Sequence, residues 1–291
     1  MRRNDRRVVL GLYRNDPDRR LLEHALSLGV RGVDTAYNYR DFTAHRQLAR
    51  TAGDLLPQFT LSTKVGFFPG PRGHSTHCLE PDRLRTAIEQ TADDLGRTPD
   101  VVFLHNPERT LSGLSTDEGS DRFAGACAAL ADAVRSGLAR RWGLSTWDPR
   151  PVAAIIQAST RDHAPEVLLV RAGLTVPEVV LTSAEKISAA CRIPSQMRWG
   201  MSPFAGSTTE AVWQSTDLSA FAPSHRQSSA IPVAFRLAYE LPSVTRLAVG
   251  TSDPAHLTDL IAATDINIDT DAIIQYRQLI STETRTPATD Q

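Results

Sequence analysis

The chain has 291 residues, 41% of them hydrophobic and 22% charged, with 32 basic side chains against 33 acidic ones. That is the profile of an ordinary globular protein, and a formal net charge of -1 gives no electrostatic case for nucleic acid or an anionic membrane as partner. No apolar run approaches membrane-spanning length, and the opening MRRNDRR leads only into VVLGLY, too short for a signal-peptide core, so the expectation is a cytoplasmic protein.

Read along the chain, short β-type runs alternate with helical segments. The runs are VVLGLY (8–13), RGVDT (31–35), FTLSTKV (59–65), DVVFLH (100–105), RRWGLST (140–146), VLLVRA (167–172), MRWGMS (197–202) and RLAVGT (246–251). Between them, DRRLLEHALSLG (18–29) carries apolar residues at helical spacing, and PDRLRTAIEQTADDLG (81–96) opens on Pro81 and closes on Gly96. Eight nearly continuous apolar strands, each followed by a helix, predict a parallel sheet closed into a single (β/α)8 TIM barrel spanning residues 1–291. The competing open, doubly wound sheet lacks its best support, because no GxGxxG follows an early strand. The tail TETRTPATDQ (282–291) reads as a mobile end.

Chemistry in such a barrel sits where strands end and βα loops begin. Here the second strand ends in Asp34, the third in Lys64 and the fourth in His105. An acid after a strand is often a helix cap, and a lysine or histidine there is often merely solvated. Three titratable groups ending three successive strands converge on one patch of the mouth, which those readings do not explain. Only Lys64 and Lys186 are lysine, in a chain otherwise committed to arginine, which suggests that Lys64 is kept for its chemistry.

Two tyrosines, Tyr37 and Tyr39, lie on the loop above Asp34, and either phenol could reach the Asp34/Lys64 pair. An ammonium beside a phenol lowers the phenol from its usual ~10, while a carboxylate keeps the lysine charged, giving a tyrosine able to exchange a proton near neutrality. A neutral histidine alongside could orient a carbonyl oxygen. The residues alone describe carbonyl protonation, without a hydride source.

DTAYNY (34–39), STKVG (62–66) and FLHNP (103–107) resemble the signature segments of the aldo-keto reductase superfamily. GLARRWGLST (137–146), WGMSPFAG (199–206) and VGTSDPAHL (249–257) extend the resemblance over most of the chain. It implies Asp34, Tyr39, Lys64 and His105 as catalytic residues, with Tyr39 rather than Tyr37 as the acid/base. It further implies a nicotinamide cofactor, NADP(H) in preference to NAD(H), near Gly11, Ser145, Thr146, Met201, Ser202, Phe204, Gly206, Gly250, Thr251, Ser252 and His256. Several positions depart from the family's usual residues: Leu169 for a glutamine, Thr146 for an asparagine, Met201 for an aromatic, His256 for an arginine and Leu260 for an asparagine.

The segment GFFPGPRGHSTHC (66–78) should overhang the mouth, with Phe67 and Phe68 either lining an apolar substrate pocket with Tyr13, Tyr37 and Trp147 or packing the loop down onto the barrel. His74, His77 and Cys78 read as a flexible polar loop, and no metal site is expected. Cys78, Cys127 and Cys191 lack CxxC spacing and predict no disulfide framework. Trp142, Trp199 and Trp213 read as packing residues, and His24, His45 and His225 as surface residues. Three functional classes follow. A reductase of an aldehyde or ketone, or the reverse alcohol oxidation, leads. A non-redox lyase, isomerase or dehydratase on the same scaffold comes next, and a nucleotide-binding regulatory subunit third. The expected partner is a small carbonyl or alcohol substrate, and the expected state a monomer or weak homo-oligomer.

Overall fold

A computed structural model describes residues 7–13, 18–159, 163–223 and 229–283; His225 and residues 284–291 of the tail lie outside that set. In chain order the elements are β1 (Arg7–Gly11), α1 (Arg19–Ser27), β2 (Gly32–Asp34), α2 (Ala44–Ala52), β3 (Thr60–Val65), β4 (Phe67–Pro69), β5 (Ser75–His77), α3 (Pro81–Leu95) and β6 (Val101–His105). There follow α4 (Glu108–Leu111), α5 (Thr116–Arg135), β7 (Trp142–Thr146), α6 (Arg150–Ser159), β8 (Val167–Arg171), α7 (Glu178–Ala190) and β9 (Arg198–Met201). The last are α8 (Ala211–Ser215), α9 (Ala230–Leu237), β10 (Arg246–Val249), α10 (Pro254–Ala263) and α11 (Thr270–Glu283).

All eight strands expected from the sequence are present, and they close in the order β1-β10-β9-β8-β7-β6-β3-β2. Every pairing within that ring is parallel, which makes it the TIM barrel that the alternation predicts. The local signals work as expected. The Asp18 carboxylate caps α1 by accepting from the Arg20 backbone N–H at 2.9 Å, and Gly96 ends α3 at φ 64°, a left-handed conformation that costs a glycine nothing.

One face of each strand fills the barrel. Val9, Val101, Phe103, Val167, Leu169, Trp199 and Ala248 form that interior cluster. Gly143 is required there: a Cβ would lie 2.8 Å from the Phe103 ring and 2.5 Å from the Val167 carbonyl. The opposite faces pack against the helices in two larger clusters, one centred on α1, α2, α9 and α10 and the other on α3, α5, α6 and α7. Burial of each such aliphatic or aromatic side chain contributes about 1.5–3 kcal/mol, and it fixes which strand residues are left facing the mouth. Trp142, Trp199 and Trp213 are all buried, as expected of packing residues.

The sequence reading missed two features. The segment after β3, expected to overhang the mouth with His74, His77 and Cys78 in a flexible polar loop, is a two-stranded antiparallel hairpin, β4 with β5. His45, expected at the surface, is buried on the inner face of α2 beside Ala44, Leu48 and Ala52. Its Nε2 lies 2.8 Å from the Thr63 hydroxyl, and burial pushes its pKa down to about 4.

Candidate active site

The ends of β2, β3 and β6 bring Asp34, Lys64 and His105 to one end of the barrel, and the loop after β2 folds Tyr39 over them. Continued pairing places that loop: Thr35 N–H donates to the Ser62 carbonyl and Tyr37 N–H to the Lys64 carbonyl, each at 2.9 Å. Alternation along β3 turns Ser62 and Lys64 inward. Lys64 is 2% exposed and makes three contacts: an ion pair with Asp34 Oδ2, a bond to the Thr35 carbonyl at 2.9 Å and one to the Tyr39 hydroxyl at 3.2 Å. The other Asp34 oxygen accepts from the Ser62 hydroxyl at 2.7 Å. Thus the carboxylate is held by two partners, and the ammonium is delivered to the phenol.

The electrostatics differ from the sequence expectation in one respect. Tyr39 is 9% exposed, and burial raises its pKa; the Lys64 charge pulls it down and Asp34 pushes it up, with a net upward shift. The phenol is therefore protonated through the neutral range rather than poised to titrate there. For Lys64, burial acts to lower the pKa, but the attraction of Asp34 and Tyr39 prevails and the net shift is upward. His105 is held well below its ordinary range by burial, then by the Lys64 charge, so it is a neutral imidazole. Its ring stands edge-on to Tyr39 with centroids 6.2 Å apart.

After Tyr39 the backbone takes an uncommon course. Arg40, Asp41 and Phe42 all have positive φ, at 52°, 51° and 64°, a left-handed run of three non-glycine residues. Asn106, which follows His105, is also left-handed at φ 50°. Both left-handed stretches adjoin candidate catalytic residues, Tyr39 and His105.

The aromatic residues of the loops divide. Tyr13, 62% exposed, lays its ring 5.0 Å from that of Tyr39, and Phe67 stands edge-on to His105 at 4.9 Å. Trp147 is exposed beneath the Arg171 guanidinium, which lies 5.1 Å from its ring and donates from Nε to its carbonyl at 2.9 Å. Tyr37 and Phe68 are elsewhere: they pack with each other and with the cluster between barrel and α3, Phe68 because neighbouring residues on a strand face opposite ways. Tyr13 and Phe67 thus lie beside Tyr39 and His105, Trp147 lies with Arg171 on the loop after β7, and Tyr37 and Phe68 serve the packing.

On the other side of the mouth, Ser145 lies level with His105 and Leu169 on neighbouring strands. Its hydroxyl is fully buried and has no hydrogen-bond partner among the described residues, and nor does His105 Nδ1. Thr146 is committed differently, donating to Glu108 Oε2 at 2.9 Å. Met201 pairs with Arg171 and Ala248 in the barrel register. Beyond it, Ser202 and Ala205 are left-handed, at φ 56° each, and Gly206 has φ 120°, so the 202–206 loop turns tightly. The Phe204 ring is buried against Trp213 and Phe235, leaving only its backbone for the loop. Gly11 ends β1 close to the chain entering the last loop, where a Cβ would meet the Val249 carbonyl group at 3.5 Å. Gly250 and Ser252 are exposed and Thr251 half-buried on that loop, with His256 exposed on α10, 3.6 Å from Asp253.

Two residues of the site escaped the sequence reading. Glu108 is buried, and its Oε1 accepts from the backbone N–H groups of Trp147 at 2.8 Å and Asp148 at 3.1 Å while Oε2 takes Thr146. Burial raises its pKa against the pull of these bonds. One side chain from the first residue of α4 therefore fixes the loop after β7. His77, read as part of a flexible loop, bonds His105 O through Nε2 at 2.8 Å and Thr110 Oγ1 through Nδ1 at 2.7 Å, tying the hairpin to the strand end that carries His105.

No curated protein sequence matches the chain. Among solved structures it is similar to an aldo-keto reductase from Klebsiella pneumoniae in complex with NADPH, at 18% identity over 98% of this chain and 94% of that one, with TM-score 0.69. It is similar to an aldose reductase from Giardia lamblia at 18% identity over 97% and 94%, TM-score 0.68. A Bacillus halodurans aldo-keto reductase in its holo form matches at 15% identity over 94% and 91%, TM-score 0.70. At these identities the likeness is one of fold. The sequence itself matches the model of the aldo/keto reductase family over residues 13–172, more than half of its length, and the chain belongs to that family.

Proposed function

We propose that the protein is a nicotinamide-dependent oxidoreductase that interconverts a small or mid-sized aldehyde or ketone with its alcohol, with Tyr39 as the proton-transferring residue. The observation that carries this reading is the single Lys64 ammonium that contacts Asp34 and, at 3.2 Å, the Tyr39 hydroxyl. A protonated, buried phenol beside a fixed cation is a general acid whose conjugate base is stabilised as it forms. His105, neutral and adjacent, serves to hydrogen-bond and orient the carbonyl oxygen. Asp34 keeps Lys64 charged and aimed, and Phe67, Tyr13 and Trp147 exclude water around the reacting carbon.

The residues present fit a nicotinamide cofactor on one observation above others: the buried Ser145 hydroxyl lacks a partner that a ligand amide can supply. Bound there, the cofactor supplies the hydride. Ser145 would hold its carboxamide, the tight 202–206 loop its pyrophosphate, and Gly250, Thr251, Ser252 and His256 its adenosine side. NADP(H) is preferred to NAD(H), a choice supported by the likeness to a protein solved with NADPH. Turnover of a broad carbonyl panel with NADPH and NADH tests the proposal: the expected result is NADPH-dependent reduction that Tyr39→Phe removes, and no nicotinamide-dependent turnover of any carbonyl overturns it.

A second reading has one specific observation in its favour. Thr146 spends its hydroxyl on Glu108, and Leu169, at the level of Ser145, offers no hydrogen bond, so two usual cofactor contacts are missing. A non-redox acid/base enzyme using Tyr39, Lys64 and His105 is then the alternative. Fluorescence titration with NADPH separates the two, since the non-redox enzyme shows no binding at high micromolar protein.

A further inference from the structure

The far end of the barrel carries chemistry that the mouth does not use. There, at the N-terminal ends of the strands, Arg7, Arg246 and Trp199 stand in one row across β1, β10 and β9, since Arg246 pairs with Arg7 on one side and with Trp199 on the other. A cavity of about 250 Å³ opens beside them, lined by Thr60, Asp100, Arg140, Arg141, Trp199 and Arg246. A second, of about 180 Å³, shares Thr60 and Arg246 and adds Arg7 and Arg31.

The charges there are unbalanced. Asp100, the carboxylate on the cavity wall, is already occupied by Arg97 at 2.9 Å, Arg140 at 3.4 Å and the Leu61 N–H at 2.8 Å. Arg141 has Glu166 at 3.4 Å. Arg7 and Arg246 have no carboxylate partner among the described residues, although Arg246 is partly buried with its guanidinium 4.9 Å from the Trp199 ring centre. Stacking alone does not account for a cation held near two others, because mutual repulsion opposes the arrangement until a counter-charge arrives.

An independent observation concerns a donor rather than a charge. Trp199 is 2% exposed, and its indole N–H has no hydrogen-bond partner among the described residues. A buried N–H left unpaired carries a free-energy cost that an acceptor in the adjoining cavity removes. Guanidinium groups and an N–H donor around a cavity form a receptor for a tetrahedral oxyanion, to which arginine presents paired donors.

We propose that this end of the barrel is a second binding site, for a phosphate-class oxyanion, with Arg246 and Arg7 supplying the charge and the Trp199 indole N–H a directed hydrogen bond. The site is independent of the carbonyl chemistry, being at the opposite end of the strands from Tyr39.

The full chain titrated with sodium phosphate against sodium chloride at matched ionic strength, followed by indole fluorescence and melting temperature, tests it. The expected result is a saturable, phosphate-specific response that weakens at least tenfold in both Arg246→Gln and Trp199→Phe, with carbonyl turnover unchanged. Arg7→Gln, at an exposed side chain, gives a variant whose folding is not in question and in which binding weakens severalfold. Equal responses to phosphate and chloride, or phosphate binding untouched in Arg7→Gln and Trp199→Phe, overturn the proposal. A parallel titration with glycerol 3-phosphate identifies the source: tighter binding than inorganic phosphate points to a phosphorylated metabolite, weaker binding to the free ion, and both keep the site.

Discussion

The Lys64 ammonium lies 3.2 Å from the Tyr39 hydroxyl while Asp34, on the neighbouring strand, and the Thr35 carbonyl hold the same nitrogen. Both members of the ion pair are buried, so removing one leaves the other without compensation. We expect Lys64→Met to destabilise the protein by about 3–5 kcal/mol and to abolish turnover. The double variant Asp34→Asn/Lys64→Met should recover most of that stability and none of the activity. Urea denaturation of the three proteins checks this, and full stability in Lys64→Met alone would contradict a buried, paired charge.

The pH dependence follows from the upward shift of Tyr39. Its phenol stays protonated well past neutrality, so reduction, which consumes that proton, should be level between pH 6 and 9. Alcohol oxidation needs the phenolate and should climb steadily as pH rises through the same range. Tyr39→Phe should lower both rates by roughly 10²- to 10⁴-fold while leaving the melting temperature near that of the parent. Steady-state rates in both directions decide it; an oxidation rate that is flat with pH speaks against Tyr39 as the proton acceptor.

His45 provides an acid-labile element away from the chemistry. Well above pH 6.5 its imidazole is neutral in folded and unfolded chains alike. Below that, the unfolded chain binds a proton that the folded one refuses until about pH 4, so stability is lost as pH falls through this window. At pH 5 the loss from His45 is about 2 kcal/mol. His45→Gln, which keeps a partner for Thr63, should soften the decline between pH 7 and 5 by that amount, as read from denaturation midpoints. His105, also depressed, still contributes in the same direction.

These residues also show how far the sequence could be read. The strand ends were legible, because alternating burial and eight repeated units leave little choice of where Asp34, Lys64 and His105 must lie. His45 could have been found: positions 44, 45, 48 and 52 recur at helical spacing on one face, and only its polarity argued for the surface. The division of Phe67 from Phe68 depends on which way an extended segment starts, which GFFPGPRGHSTHC does not reveal, whereas the resemblance of DTAYNY tells Tyr39 from Tyr37. The upward shift of Tyr39 was hidden for a deeper reason. Lysine proximity follows from spacing, but desolvation is set by everything packed above the phenol, Tyr13 included.

Glu108 was similarly invisible, since nothing in HNPERT says that its carboxylate crosses to the next loop. Glu108→Ala should cost about 1–3 kcal/mol by stranding two backbone N–H groups and the Thr146 hydroxyl, and should raise KM for the cofactor more than it lowers kcat. Glu108→Gln keeps one acceptor oxygen and should sit between that variant and the parent. Thermal melts and cofactor-dependent kinetics measure both.

The left-handed run Arg40–Asp41–Phe42 makes the turn behind Tyr39 a store of energy as well as a hinge of geometry. Each non-glycine residue held there costs about 1–2 kcal/mol. Glycine would relieve that cost and also enlarge the unfolded ensemble, so the net gain is at most about 1 kcal/mol per position. On the role proposed for Tyr39, the protein gives up thermostability to hold the phenol in one place. A selection for heat resistance alone, with no demand for turnover, should find its easiest gains at these three codons, and a selection for rate should reject them.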